Sequence, residues 1–342
     1  MFKIFIEATI LKKIADSETG NTKQSRSMLF RLLSQQKVVY VSSTDKAWIQ
    51  TLKTRMEINA DDSQSAYIEG LATRPETALL NPSSLFILNI PIAEAERIQK
   101  SYGILCISGD AVNISPLIDI NDIHVSNEQE RLGRGWDSVL DSVERLPSNA
   151  LLLTDRYLFA FRHPNAGDGL ANIKDILNQL LPRQFSGGDY HITVIFDNMA
   201  KHSTYTFDEI ATKLNRIKTQ LGREYPIMME VLGITPDCSI YNKLHSRLII
   251  SNYYLVEAGH KLAAFNHDKG TARQTLLPLA LFTESSLNGT STPPLKVIEQ
   301  ATSTLRNFSK SLPQLTDHTT YFYAVNGQRM EKCIAIRNRL IK

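Results

Sequence analysis

A chain of 342 residues, 42% of them apolar and 21% charged, has the composition of a folded protein and more length than one core usually fills, so two domains are expected. The net charge of +3 is too small to announce nucleic acid by bulk charge, and any partner has to be argued from a local site. No run approaches the length of a membrane span, and MFKIFIEATILKKIADSE has the wrong order of apolar and charged residues for a signal peptide; a cytoplasmic setting is expected.

The first third alternates apolar runs with helical stretches. KIFIEATIL (3–11) and KVVYVS (37–42) read as strands, KAWIQTLKTRM (46–56) as a helix and SLFILNI (84–90) as a buried strand. NADDSQSAY (59–67), with Asp61 and Asp62, reads as a solvated loop. PIAEAERIQKSYG (91–103) starts with proline and ends with glycine, as a helix does, and ILCIS (104–108) returns as a strand. Strand, helix and strand in this rhythm imply parallel pairing. Residues 1–120 are expected to form a small α/β domain with a mainly parallel sheet.

Residues 121–149 are polar, with a helical stretch around Trp136 and Val139 and a Pro-Ser-Asn turn at the end, and read as a connection. The pattern then restarts, and residues 150–342 are expected to form a second α/β domain closed by a helix and a hairpin. ALLLTDRYLFAF (150–161) reads as two strands around Thr154-Asp155. GLANIKDILNQLL (169–181) follows as a helix, HITVIFD (191–197) as a strand, TFDEIATKLNRIKTQLG (206–222) as a helix with a Thr/Glu capping box, and PIMMEVLGI (226–234) as a strand. LHSRLIISNYYLVEAG (244–259) reads as strand, turn and strand. PPLKVIEQATSTLRNFSKSL (293–312) is a helix begun by prolines, and Asn326-Gly327 signals a hairpin.

Three cysteines, Cys106, Cys238 and Cys333, are widely spaced and odd in number, which suggests neither a disulfide framework nor a zinc site. No GxSxG, HExxH, Walker-type lysine loop or GxGxxG is present, which argues against the common hydrolases, zinc proteases, nucleotidases and dinucleotide enzymes.

The 244–259 stretch carries the functional question. His245, Arg247 and Asn252 stand at the spacing His-x-Lys-x4-Asp of the phospholipase D-like superfamily, with Gly259 where its glycine falls, and the β-α-β-α-β order of 150–234 is that of one half-domain. The chain resembles that superfamily over about residues 150–290. The resemblance implies a histidine nucleophile at His245, a phosphate-holding cation at Arg247 and a histidine-orienting group at Asn252. A second imidazole would come from His260 or from His245 of a second copy in a homodimer. The departures are Arg247 for lysine, Asn252 for aspartate, and His260 and Leu262 at the serine and asparagine positions, with Asn266 four residues further on. Arginine keeps a bidentate fork for phosphate, whereas asparagine cannot supply the negative charge that favours an imidazolium.

Three readings follow. The preferred one is a phosphate-binding surface at His245 and Arg247 for nucleic acid or another phosphodiester, with catalysis lost or modified. The others are a metal-independent phosphodiesterase or nuclease that works as a dimer around His245, and a scaffold subunit of a bacterial assembly with no phosphate chemistry, His245 being a core or edge residue of its strand. None requires a metal or a cofactor. The alternative motif His191, Thr193, Asn198 lacks a cation. The first domain also loosely resembles the PIN-like nucleases, with Glu7 and Asp110 after two strands and Asp45 and Glu94 as further acids, a layout that would need several carboxylates converging on divalent metal. The RHPNAGDG loop, with Arg162, His163 and Asp168, follows the first strands of the second domain, and reads as a surface loop; GRGWD (133–137) reads as a turn. Arg337, Arg339 and Lys342 form a basic tail that either touches phosphate or is solvated.

Overall fold

A computed structural model describes residues 2–16, 28–118, 136, 140, 143, 146–159, 169–197, 206–244, 247–258, 262, 265–266, 271–272, 276–312, 321–326, 329–332 and 334–342. The protein is mixed α/β, with two compact units. One gathers residues 1–119, 185–187 and 280–295, and the other 120–184, 188–279 and 296–342.

The first unit is built on a five-stranded sheet of order β3-β2-β1-β4-β5. Its strands are β1 (Lys3–Glu7), β2 (Val39–Ser42), β3 (Ala60–Asp61), β4 (Ser84–Leu88) and β5 (Leu105–Ser108), and every pairing is parallel. Helices α1 (Ala8–Asp16), α2 (Lys46–Arg55), α3 (Ser65–Gly70) and α4 (Ile92–Tyr102) supply the crossovers. Phe5 pairs with Tyr40 on one side and Phe86 on the other, and the three rings stack at 5.0 and 5.1 Å across the sheet. Such cross-strand aromatic pairs add to area burial and fix register. Proline at 91 opens α4, and Gly103 closes it at φ 60°, a left-handed position that glycine adopts without penalty.

Two local expectations are corrected here. The first run is not strand throughout, because β1 stops at Glu7 and α1 begins at Ala8, whose amide donates to Ser42 Oγ at 3.4 Å. The good helix formers Ala8, Leu11 and Lys12 then continue the helix. Asp61 is likewise not in a loop: it ends β3, and its carboxylate accepts the Ser63 amide at 2.7 Å.

The second unit contains an eight-stranded mixed sheet of order β13-β10-β9-β6-β7-β8-β14-β15. Strands β6 (Ala150–Thr154), β7 (Tyr190–Asp197) and β8 (Ile227–Ile234) are parallel, joined through α5 (Gly169–Leu180) and α6 (Phe207–Gln220). Strand β9 (Arg247–Ser251) runs antiparallel to β6, and β10 (Tyr254–Ala258) folds back on β9. β13 (Leu276–Ala280) lies at one edge, and β14 (Tyr321–Asn326) with β15 (Arg329–Lys332) forms the hairpin at the other. Phe265–Asn266 (β11) and Thr271–Ala272 (β12) make a separate two-stranded ladder.

All five residues of β6 and all eight of β7 are buried, as expected of parallel strands covered on both faces. Each fully buried leucine or isoleucine contributes about 1.5–3 kcal/mol by leaving water. α5 turns Leu170, Ile173, Ile176, Leu177 and Leu180 into the core at helical spacing. Its first residue is fixed sterically, because a Cβ on Gly169 would stand 1.8 Å from the carbonyl oxygen of Leu158. α6 carries the expected capping box, with the Thr206 hydroxyl accepting the Glu209 amide and the Glu209 carboxylate accepting the Thr206 amide. α8 (Pro294–Ser311) follows a short α7 (Glu284–Leu287).

Residues 150–161 were expected as two strands. The chain instead turns after Thr154, because Asp155 Oδ1 accepts the Tyr157 amide at 2.9 Å and closes an Asx turn. In the basic tail Arg337 and Lys342 are exposed and Arg339 is half-buried, while Ile336, Asn338, Leu340 and Ile341 between and beside them are buried. Asn338 Nδ2 donates to Leu151 O and Thr193 Oγ1, and Arg306 donates to Ile341 O and Lys342 O. No described helix is long and apolar enough to cross a membrane.

Candidate functional site

The carboxyl ends of β6 and β7 and the start of β9 lie along one edge of the second unit's sheet, since β6 and β7 are parallel and Thr154 pairs with Leu248. Thr154 Oγ1 also accepts the Leu248 amide at 3.1 Å, which pins the start of β9 to the end of β6. Arg247 therefore stands where α/β proteins commonly place ligand-binding groups.

Below it lies a carboxylate. Asp155 has a fully buried side chain, and Arg247 Nε is 3.9 Å from its Oδ1, while the Arg247 side chain keeps 18% of its exposure. Asp155 Oδ2 accepts the Leu262 amide at 2.5 Å, so one carboxylate fixes the turn to Tyr157, the segment at Leu262 and the guanidinium. Tyr157 is exposed, and its ring centroid lies 5.7 Å from Arg247 Cζ.

The neighbouring Arg156 is buried. Its guanidinium donates to Tyr241 O at 2.9 Å and lies 3.6 Å from the Tyr241 ring centroid. Its Nε–H has no acceptor among the described residues. Tyr241 in turn donates its hydroxyl to Asp197 Oδ2 at 2.6 Å. Burial pushes the Tyr241 phenol up to about 12, and the Asp197 hydrogen bond and charge push the same way. The edge thus holds two carboxylates and two guanidiniums, with two tyrosines against them.

The residues singled out by spacing separate. Arg247 is at this edge. Asn252 follows the far end of β9, about 16 Å away at the rise of a strand, buried, with its side chain bonded to Asn149. Leu262 is buried and reaches the edge through its amide alone. His245, Gly259 and His260 fall outside the described residues, as do Arg162, His163, Asp168, Asn198, Cys333 and the GRGWD segment apart from Trp136. His191 is buried in β7, where burial, with Arg339 and Lys342 nearby, lowers its imidazole to about 4.

The four candidate acids of the first unit each have a partner of their own. Glu7 accepts the Asn89 amide, Asp45 caps α2 at Trp48, Asp110 pairs with Lys13, and Glu94 with Arg97. Among the described residues no three His, Cys, Asp or Glu side chains gather as a metal site.

Asp155, Arg156, Asp197 and Tyr241 escaped the spacing pattern. The available signal was that two buried runs, ALLLTD and HITVIFD, each end in aspartate, which places acids at adjacent carboxyl ends if the strands are parallel neighbours. Glu230 had no such signal. It is fully buried in β8, accepts from Thr193 Oγ1 and the Arg337 amide, and burial raises its carboxyl to about 7. No known family model matches the chain, and comparison with the curated proteins finds no match.

Proposed function

We propose that the second unit binds a phosphate-bearing partner, nucleic acid, through the sheet edge at Arg247, in a phospholipase D-like domain whose catalysis is lost or modified. The observation that carries this reading is Arg247, its side chain 18% exposed, with Nε 3.9 Å from the buried Asp155 carboxylate where parallel strands end. A guanidinium fork matches phosphate oxygens, and the type of group at this position, not an unpaired donor, is what favours an anion. Arg156 adds positive charge at the same edge, and its Nε–H is a buried donor without an acceptor among the described residues.

The test is fluorescence anisotropy of labelled DNA and RNA at several salt concentrations. Arg247→Ala should weaken binding, and the slope of log affinity against log salt should fall by about one phosphate contact. An unchanged slope and affinity would remove this site from the reading.

A cleaving enzyme is the second reading, and one observation favours it. Position 252 lacks a carboxylate, but Asp155 brings one to within 3.9 Å of Arg247, two residues along the chain from His245. Under that reading His245→Ala abolishes phosphodiester cleavage and leaves binding in place. Absence of cleavage by the unaltered protein, with binding intact, leaves the first reading alone.

A further inference from the structure

We infer that the partner is single-stranded nucleic acid, and that Tyr157 is the platform on which one of its bases stacks while Arg247 holds the adjoining phosphate. This rests on the reading of the Arg247 edge given above and adds the chemistry of the ligand's second half.

Large apolar side chains are rarely left open to water among the described residues, and Tyr157, 36% exposed, is one of four. Leu80, Ile92 and Ile334 are the others, and none of them is aromatic. Tyr157 is also the one of the four that borders a cation at the sheet edge, with its ring centroid 5.7 Å from Arg247 Cζ. An exposed ring beside a guanidinium matches the two ends of a nucleotide, a flat π-face and an anion.

The backbone that carries the ring is held before any ligand arrives. Asp155 Oδ1 accepts the Tyr157 amide at 2.9 Å, and the same oxygen lies 3.9 Å from Arg247 Nε. One buried carboxylate therefore sets both the backbone that carries the ring and the cation. Fixing both groups lowers the conformational entropy lost on binding. A duplex keeps its bases stacked inside and would offer Tyr157 no free face, whereas a single strand does. A lipid headgroup or inorganic phosphate would use Arg247 and leave the ring without a role.

The experiment compares a labelled single-stranded oligonucleotide of roughly 12 nucleotides with an abasic strand of the same length and charge, titrated into the full chain by anisotropy. The base-bearing strand should bind more tightly, on the order of 5- to 100-fold. Tyr157→Leu, which keeps apolar bulk without a π-face, and Tyr157→Ala should erase that difference, both strands then binding alike; Tyr157→Phe should retain it. Arg247→Ala should weaken both strands. Equal binding of the two strands by the unaltered protein, or a difference that survives in Tyr157→Leu, overturns the stacking inference while the phosphate site stands. Failure of Arg247→Ala to weaken either strand, or no binding of either, overturns both.

Discussion

Asn252 and Asn149 hold each other by two hydrogen bonds: the Asn149 amide donates to Asn252 Oδ1 at 3.0 Å, and Asn252 Nδ2 donates to Asn149 Oδ1 at 3.1 Å. Both residues are buried. The pair ties the turn between β9 and β10 to the residue that precedes β6. Asn252→Ala removes both bonds from buried groups of Asn149, and should lower stability by about 1–3 kcal/mol. Anion binding at Arg247, at the opposite end of β9, should not change. Urea denaturation and anisotropy on the same variant check both halves, and intact stability would show that water replaces the pair.

Asp155 anchors the candidate edge through two amides and a guanidinium. Asp155→Ala strands all three and should cost roughly 2–5 kcal/mol, the range for breaking a buried ion pair with its hydrogen bonds. Asp155→Asn keeps one acceptor and should cost less. Equal losses in the two variants would show that the negative charge, and not acceptor geometry, is what the fold requires.

Glu230 gives a pH dependence whose sign can be worked out. Its folded value of about 7 lies above the ordinary 4.5, so the folded state holds an extra proton between them and stability falls as pH rises across that window. His191 acts in the other direction. Its folded value of about 4 lies below 6.5, so the unfolded state binds more protons there and stability rises with pH. The two offset each other over most of their shared range. Glu230→Gln removes the falling part, so the stability of this variant relative to the unaltered protein should increase by on the order of 2–3 kcal/mol from about pH 4.5 to about pH 8. Chemical denaturation at several pH values checks it; a constant difference would mean that Glu230 titrates at its ordinary value.

Gly169 opens α5 against the Leu158 carbonyl, with only 1.8 Å available for a Cβ. Because the obstacle is backbone, rotamer changes cannot relieve it. Gly169→Ala should lose about 1–3 kcal/mol to overpacking, despite a helix propensity gain of about 1 kcal/mol. A thermal midpoint at or above that of the parent would show that α5 shifts freely along the sheet.

Much of the architecture was legible because its causes are local. The capping box of α6 needs only Thr206 and Glu209, and α4 is bounded by Pro91 and Gly103. The buried runs 191–197 and 226–234 announce strands by composition alone. What was not legible depends on distant partners. β1 ends at Glu7 where Ser42, 34 residues after Ala8, caps the helix that follows. Asp155 looks like a turn residue until Leu262, 107 residues later, is brought to it. Residues 247–251 form a strand as read, but a strand of five residues carries its two ends to opposite edges of the sheet, so Arg247 and Asn252 have different surroundings.

The packing of residues 334–342 against the sheet has a kinetic consequence. Asn338 joins groups 187 and 145 residues away, and the Arg337 amide meets Glu230 across 107. Loop closure over such separations precedes any gain from the bonds, and chains rich in these contacts fold slowly. The segment thus supplies, from far along the chain, polar partners that the buried Glu230 and Thr193 require, and its docking is expected to be a late, slow step of folding.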